Sequence, residues 1–242
     1  MSDPAAGQER PGRLPAAEVQ AMFDRIAPRY DLLNRVMTAG LDRRWREAAA
    51  AAADVAAGES ALDVCTGTGD LAFALSRRVT PSGRAVGVDF AENMLDRARA
   101  KAAELGEPVG FVQADALALP FADGEFDGAT VAFGIRNVSD LDGGIAEMTR
   151  LVRPGGRVVI LEITTPRHLR RFYRLWFDRV VPLLGKLLGR DGAAYGYLPA
   201  SVKRFPEPPQ LAGAMVRAGL DDVRWQLFAG GIVALHYGRV RV

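Results

Sequence analysis

A chain of 242 residues can bury a sizeable core, and 49% apolar with 25% charged residues is the make-up of an ordinary globular enzyme. A formal charge of +2 gives no electrostatic reason to expect nucleic acid as a partner. Cys65 is the single cysteine, which excludes an internal disulfide and a multi-cysteine metal cluster and fits a reducing cytoplasm. The two histidines, His168 and His236, are far apart in sequence and argue against a histidine metal site.

In chain order, Met1–Pro15 is rich in Pro, Gly and Ala without an apolar h-region and reads as a disordered leader. Ala16–Ile26 and Asp31–Ala57 read as helices separated near Pro28. Short apolar runs at Ala61–Cys65, Ala85–Asp89, Val109–Val112, Phe126–Phe133 and Arg157–Ile163 suit buried parallel strands. Between them, helix is expected at Ala91–Leu105, stopped by Gly106, and at Leu141–Val152, followed by a break at Pro154-Gly155-Gly156. Pro166–Pro209 interrupts the alternation with a basic amphipathic stretch and a Pro-rich loop. A helix at Pro209–Ala218 and a hairpin of Val223–Phe228 and Gly231–Arg239 finish the chain. The alternation predicts one doubly wound α/β domain over residues 16–242, with N-terminal helices at 16–57 and an insertion at 166–209. No uninterrupted apolar run approaches the roughly 18–20 residues of a membrane span.

Three strand ends carry the chemistry. Leu62-Asp63-Val64-Cys65-Thr66-Gly67-Thr68-Gly69-Asp70 is a strand entering a glycine-rich turn and a helix. Such a turn lets backbone approach a ligand closely, although strand-turn-helix units with two glycines also occur where nothing binds. About twenty residues on, Gly87-Val88-Asp89 ends strand two with an acid placed to accept hydrogen bonds from both hydroxyls of a ribose. Ala72 stands at the third glycine position of the dinucleotide fingerprint, which tolerates alanine, so the glycine count leaves NAD open. Past strand three, Asp115 is placed to accept an adenine amino proton with Ala116 and Leu117 against the ring, or merely to cap a turn.

Asp63-Val-Cys-Thr-Gly-Thr-Gly69, Gly87-Val-Asp89, Ala114-Asp115-Ala116 and Leu151-Val-Arg-Pro-Gly-Gly156 together resemble class I S-adenosylmethionine methyltransferases. Further motifs resemble the UbiE/MenG family of quinone C-methyltransferases: Phe23-Asp-Arg-Ile-Ala-Pro-Arg-Tyr30-Asp31-Leu-Leu-Asn34, Asp42-Arg-Arg-Trp45-Arg46, Gly87 to Leu95, and Phe133-Gly-Ile-Arg-Asn137-Val. Tyr195 to Ser201, Phe205-Pro206 and Gly230 to His236 extend the resemblance towards the C-terminus. It implies a doubly wound, mostly parallel seven-stranded sheet with a C-terminal antiparallel hairpin. It implies methyl transfer from S-adenosylmethionine, leaving S-adenosylhomocysteine, to a ring carbon of a polyprenyl hydroquinone without a metal. The substrate is then demethylmenaquinol or the benzoquinol of the ubiquinone step, and we expect the naphthoquinol.

By the same resemblance Asp63, Gly67, Thr68 and Gly69 form the methionine-side turn. Asp89 serves the ribose with Phe90 and Met94 beside it, and Asp115 and Ala116 serve the adenine. Arg136, Asn137 and Tyr30 fall on the substrate side, Arg136 steadying a phenolate or a water and Asn137 holding the quinol oxygen. Two positions depart from the family pattern: Asp42 replaces a common histidine and is given no acid–base role, and Ala132 replaces a serine found in some members. Glu162 is left open between general base and structural carboxylate, and His236 is expected to be a packed histidine.

A lipid-tailed substrate predicts a cytoplasmic protein, peripheral at the inner face of the membrane. The basic amphipathic stretch 167–190 is either its contact, a lid, or ordinary packing. The oligomeric state, including a homodimer, stays open. A short-chain dehydrogenase is disfavoured because none of Lys101, Lys186 and Lys203 follows a tyrosine at the Tyr-x-x-x-Lys spacing. The intact Thr68, Asp89, Asp115 and Arg136-Asn137 set disfavours a non-enzymatic assembly partner. The N- and C-terminal motifs disfavour a methyltransferase acting on a soluble phenol.

Overall fold

The computed structural model describes residues 15–27, 30–166 and 192–242. The leader, apart from Pro15, and the amphipathic stretch 167–190 therefore lie outside the described residues. Three helices come first: α1 (Ala16–Ile26), α2 (Tyr30–Met37) and α3 (Leu41–Ala52). The single helix expected from Asp31 to Ala57 is in fact two, because Ala39 (φ +51°) and Gly40 (φ +76°) enter the left-handed region and break the ladder. The alternating unit follows as β1 (Ser60–Val64), α4 (Asp70–Val79), β2 (Arg84–Asp89), α5 (Glu92–Leu105), β3 (Val109–Gln113), β4 (Phe126–Ala132), α6 (Leu141–Leu151) and β5 (Val152–Ile163). The chain closes with α7 (Gly192–Arg204), α8 (Pro208–Arg217), β6 (Leu220–Phe228) and β7 (Val233–Val240).

The seven strands lie in the order β3-β2-β1-β4-β5-β7-β6, parallel through β5 and antiparallel at β7 and β6. One expectation about the strands is corrected. Pro154-Gly155-Gly156 does not precede β5 but forms an irregularity within it, where the register slips between Phe126↔Val152 and Gly128↔Arg157. The C-terminal pair adds to the sheet edge beyond β5 as the expected antiparallel hairpin, with β7 as its inner strand, pairing Ile160 with His236 on one side and Trp225 with His236 on the other. A helix, α7, also lies in the segment read as a Pro-rich loop, with Pro199 inside it.

Strand alternation divides the core. Leu62, Val64, Val158 and Ile160 face α6 and α8 with Ile145, Met148, Leu211 and Met215, whereas Ala61, Val159, Leu161 and Leu235 face α3 and α4 with Trp45, Ala49, Leu71 and Leu75. The order reverses between β1, which continues to β2, and β4. That switch opens a crevice at the carboxyl ends of the strands, the place where ligands bind in open α/β sheets.

Candidate active site

The crevice is an open cleft of about 800 Å³ including its mouth. Its floor is Val64, Cys65 and Gly67 from the end of β1, Val88, Asp89 and Phe90 from β2, and Ala114, Asp115 and Ala116 beyond β3. The other wall is Ala132, Phe133, Gly134, Asn137, Val138 and Ser139 after β4, and Val19, Phe23 and Tyr30 from α1 and α2 complete it. Cys65 (φ +53°) and Phe133 (φ +58°) are non-glycine residues in the left-handed region at the ends of neighbouring strands. Strain of this kind concentrates at functional sites, and here it lies at the ends of both strands at the switch point. Gly134 is required because a Cβ there would collide with Cys65.

On the β1–β2 side, Asp89 is nearly buried, and its carboxylate is fixed by the backbone N–H of Gly67 (2.8 Å) and Ala91 (3.0 Å). Burial pushes its carboxyl up to about 6, against the opposing pull of those bonds. Phe90 and Met94 line the cleft beside it, and Phe90 C=O accepts from Gln20 Nε2 and Gln113 Nε2. Asp115 lines the cleft while its Oδ1 accepts the Leu117 N–H at 3.0 Å, so the turn-capping geometry and the cleft position coexist.

Three residues of the expected cofactor set support the turn from behind and do not line the cleft. Asp63 accepts from Thr66 Oγ1 (2.7 Å) and Thr130 Oγ1 (2.8 Å) beneath the turn, and burial pushes its carboxyl up to about 7. Thr68 donates to Asp31 Oδ1 at 2.6 Å, and Lys101 Nζ joins Asp31 (3.0 Å), Asp70 (2.5 Å) and Thr68 (3.3 Å). The Thr68 hydroxyl thus locks α2 onto the turn. Gly69 (φ +88°) caps α4 and leaves room for Phe73 and Ala98.

Asp63→Ala would leave the Thr66 hydroxyl without an acceptor and Thr130 with only a 3.4 Å contact to Leu62 C=O. A loss of about 3 kcal/mol in urea unfolding is expected. Because the folded-state value is raised, the proton-linked stability of the wild type is full below about pH 4 and is lost as pH rises through 7. The gap between wild type and variant should therefore narrow from pH 5 to pH 8, and a constant gap would contradict the assignment.

On the substrate side, Asn137 sits in a short 3-10 turn, Ile135–Asn137, and its Oδ1 is buried without a hydrogen-bond partner. Tyr30 faces the same space; burial raises its hydroxyl above the ordinary value while Arg46 and a hydrogen bond with Asn34 oppose the shift. Arg136 does not line the cleft. Its guanidinium turns to Glu162 Oε1 (2.7 Å) and Phe133 C=O, and Glu162 also accepts the Ile163 N–H at 2.8 Å. Burial raises the Glu162 carboxyl and Arg136 opposes the rise, so Glu162 is occupied as a structural ion-pair partner.

The Asp42-Arg-Arg-Trp45-Arg46 motif has a structural explanation. Asp42 pairs with Arg46 at 2.5 Å and accepts from Thr38 Oγ1 at 2.8 Å. Arg46 lies over the Phe133 ring (5.4 Å) and Trp45 meets its edge, which holds the strained cleft residue in place. At Ala132 the cleft wall is apolar. His236 is buried, with Nε2 at 3.0 Å from Pro208 C=O, its ring stacked with Trp225, and burial pushing it down to about 4. Sequence reasoning gives no role to Val19 and Phe23; their spacing of four residues on α1 is the only signal that one helix face meets the cleft.

The residues present fit a phosphate-free nucleoside bearing a positive charge. Two carboxylates stand at successive strand ends amid apolar side chains, and the described lining residues include no Lys, Arg or His. The hydroxyls, amine and sulfonium of S-adenosylmethionine match these acceptors and apolar surface.

Comparison with known proteins agrees with this geometry. The model of the ubiE/COQ5 methyltransferase family matches residues 12–240. A demethylmenaquinone methyltransferase of Thermus thermophilus is 48% identical over 219 residues, covering 90% of this chain and 99% of that protein. The ubiquinone/menaquinone biosynthesis C-methyltransferase UbiE of Geobacter sulfurreducens is 43% identical, covering 91% and 87%. Among solved structures, a S-adenosylmethionine-dependent methyltransferase of Thermotoga maritima shares the fold at a TM-score of 0.63 and 19% identity, covering 91% and 98%. A seven-stranded switch-point cleft with acids at two successive strand ends, and a family match over nearly the whole chain, lead to one conclusion: this chain belongs to the ubiE/COQ5 methyltransferase family.

Proposed function

We propose that this enzyme methylates a ring carbon of demethylmenaquinol, giving menaquinol, with S-adenosylmethionine as methyl donor. The observation that carries the substrate side is Asn137 Oδ1, a buried acceptor with no partner in the wall of the cleft. An unpaired buried acceptor costs stability unless a ligand satisfies it, and a quinol hydroxyl is a donor of the right kind.

S-Adenosylmethionine, when bound, supplies an electrophilic methyl on a sulfonium. Asp89 accepts from the ribose hydroxyls, Asp115 and Ala116 serve the adenine, and Phe90 and Met94 give apolar contact. Asn137 Oδ1 accepts from the quinol hydroxyl and orients the ring, and the proton released by ring methylation passes to water at the cleft mouth. Tyr30, kept protonated by burial, donates to the oxygen on which negative charge develops. Phe23, Val19 and Phe133 exclude water. Arg136, paired with Glu162, positions the turn that carries Asn137.

The experiment is methyl transfer from labelled S-adenosylmethionine to a short-tailed demethylmenaquinol, kept reduced, beside the matching benzoquinol. Label in the naphthoquinol alone is expected. Label in both would support the second reading, a dual quinone enzyme, which the name of the Geobacter relative favours. Label in neither, with cofactor bound, would sink the substrate assignment.

Cofactor binding should depend on pH through Asp89. Its carboxyl titrates at about 6, so the ionised acceptor is present above that value and lost below it. Calorimetric affinity for S-adenosylmethionine should fall about tenfold per pH unit below 6. Asp89→Asn should flatten that profile, and an equally steep fall in the variant would remove Asp89 from the ribose.

A further inference from the structure

The elbow between α2 and α3 carries an apolar and basic surface that the reaction does not use. Leu32 (57% exposed), Val36 (41%) and Leu41 (39%) are large apolar side chains facing solvent. Leu32 and Val36 are four residues apart and share one face of α2. Arg35, Arg43 and Arg44 are exposed around them and form no ion pair among the described residues. The neighbouring acids are each paired, Asp42 with Arg46, Asp31 and Asp70 sharing Lys101, and Glu47 and Glu107 sharing Arg77, so the three arginines outweigh the two negative charges left over. The patch thus has apolar tips and a net positive surround, the pattern that anionic lipid surfaces attract.

Its position matters as much as its chemistry. Tyr30, the first residue of α2, lines the cleft, and Val36 lies about 9 Å further along the same helix. The helix is anchored to the glycine-rich turn through Asp31, Thr68 and Lys101, so patch and cleft keep a fixed relation.

We infer that the α2–α3 elbow seats this enzyme on an anionic membrane surface, with Leu32, Val36 and Leu41 entering the headgroup boundary and Arg35, Arg43 and Arg44 meeting lipid phosphates. This rests on the reading of the substrate as a polyprenyl lipid, since contact here brings the mouth of the cleft to the level at which the tail leaves the bilayer.

The full chain is sedimented with vesicles of phosphatidylcholine and phosphatidylglycerol, and with phosphatidylcholine alone. Binding should require the anionic lipid and weaken with salt. The triple variant Arg35→Gln, Arg43→Gln, Arg44→Gln should lose about fivefold in partition per arginine, roughly a hundredfold in all. Leu32→Ser with Val36→Ser should lose roughly tenfold or more. Turnover of a short-tailed quinol in solution should stay within about twofold in both variants. That readout tests folding, and failure of the wild type on every quinol would count against the substrate reading alone. Hydrogen exchange on the wild type, independent of any variant, should show residues 30–44 protected by anionic vesicles.

Three results would overturn the inference. One is undiminished partition of the arginine variant, which would give the contact to another surface such as 167–190. Another is the absence of protection at 30–44. The third is a fall in solution mass of the Leu32/Val36 variant, which would show that a second copy covers this face.

Discussion

Replacing Asn137 by alanine is expected to lower turnover by about 10²–10³-fold while leaving the calorimetric affinity for S-adenosylmethionine unchanged. The side-chain Oδ1 is buried and unpartnered, so the substitution removes no hydrogen bond of the fold at that atom. The turn itself is kept by the backbone, Asn137 N–H to Gly134 C=O at 3.0 Å, which the variant retains. The loss should fall on kcat more than on KM, because the acceptor orients a hydroxyl that the tail and ring bring to the site in any case. Asn137→Asp should recover part of the rate if the acceptor alone matters. A rate within a few-fold of wild type in the alanine variant would move the quinol oxygen elsewhere.

Glu162→Ala is expected to be the most damaging single change to stability. Arg136 and Glu162 are 8% and 1% exposed and lie 2.7 Å apart, so removing the carboxylate leaves a guanidinium in the interior with only the Phe133 carbonyl as its partner. Breaking a buried pair in this way costs about 3–5 kcal/mol. For a chain of this size that lowers the melting temperature by roughly 6–20 °C. Replacing both partners, Arg136→Met with Glu162→Leu, should recover most of the stability, since the desolvation of two charges is then no longer required. The double variant should still turn over slowly, because the pair also holds Phe133 and the turn bearing Asn137. Wild-type turnover in a stable double variant would reduce the pair to a packing device, and equal melting temperatures for Glu162→Ala and wild type would contradict its burial.

Arg136 and Asn137 show where sequence reasoning is sufficient and where it is not. Both residues are legible as a dipeptide beyond β4, and the motif spacing locates them at the correct strand end. Only the packed structure separates their positions, because Arg136 turns to Glu162, 26 residues away on β5, while Asn137 lines the cleft. The same holds for Asp63 and Asp89. Each ends a strand-like run and reads as a ligand, but alternation sends Asp63 under the turn to Thr66 and Thr130 and leaves Asp89 at the lip. The family resemblance reads Thr68 as a cofactor contact, yet Asp31, from a helix 37 residues earlier, claims its hydroxyl.

By itself the sequence determined the alternation of strands and helices, the positions of the three acid-bearing strand ends, the glycines that the tight turns require, and the family. These follow from local rules: side-chain period, backbone freedom and spacing within one β–α–β unit. The placement of β7 between β5 and β6, the break in the long N-terminal helix, and the irregularity within β5 were decided by tertiary structure, since each depends on which strand or helix the segment meets. So was the division of the polar motif residues into those that face the ligand and those that hold the cleft in shape. A spacing fixes which residues are near one another along the chain, while burial and pairing partners, often tens of residues distant, fix where their charges and hydroxyls point.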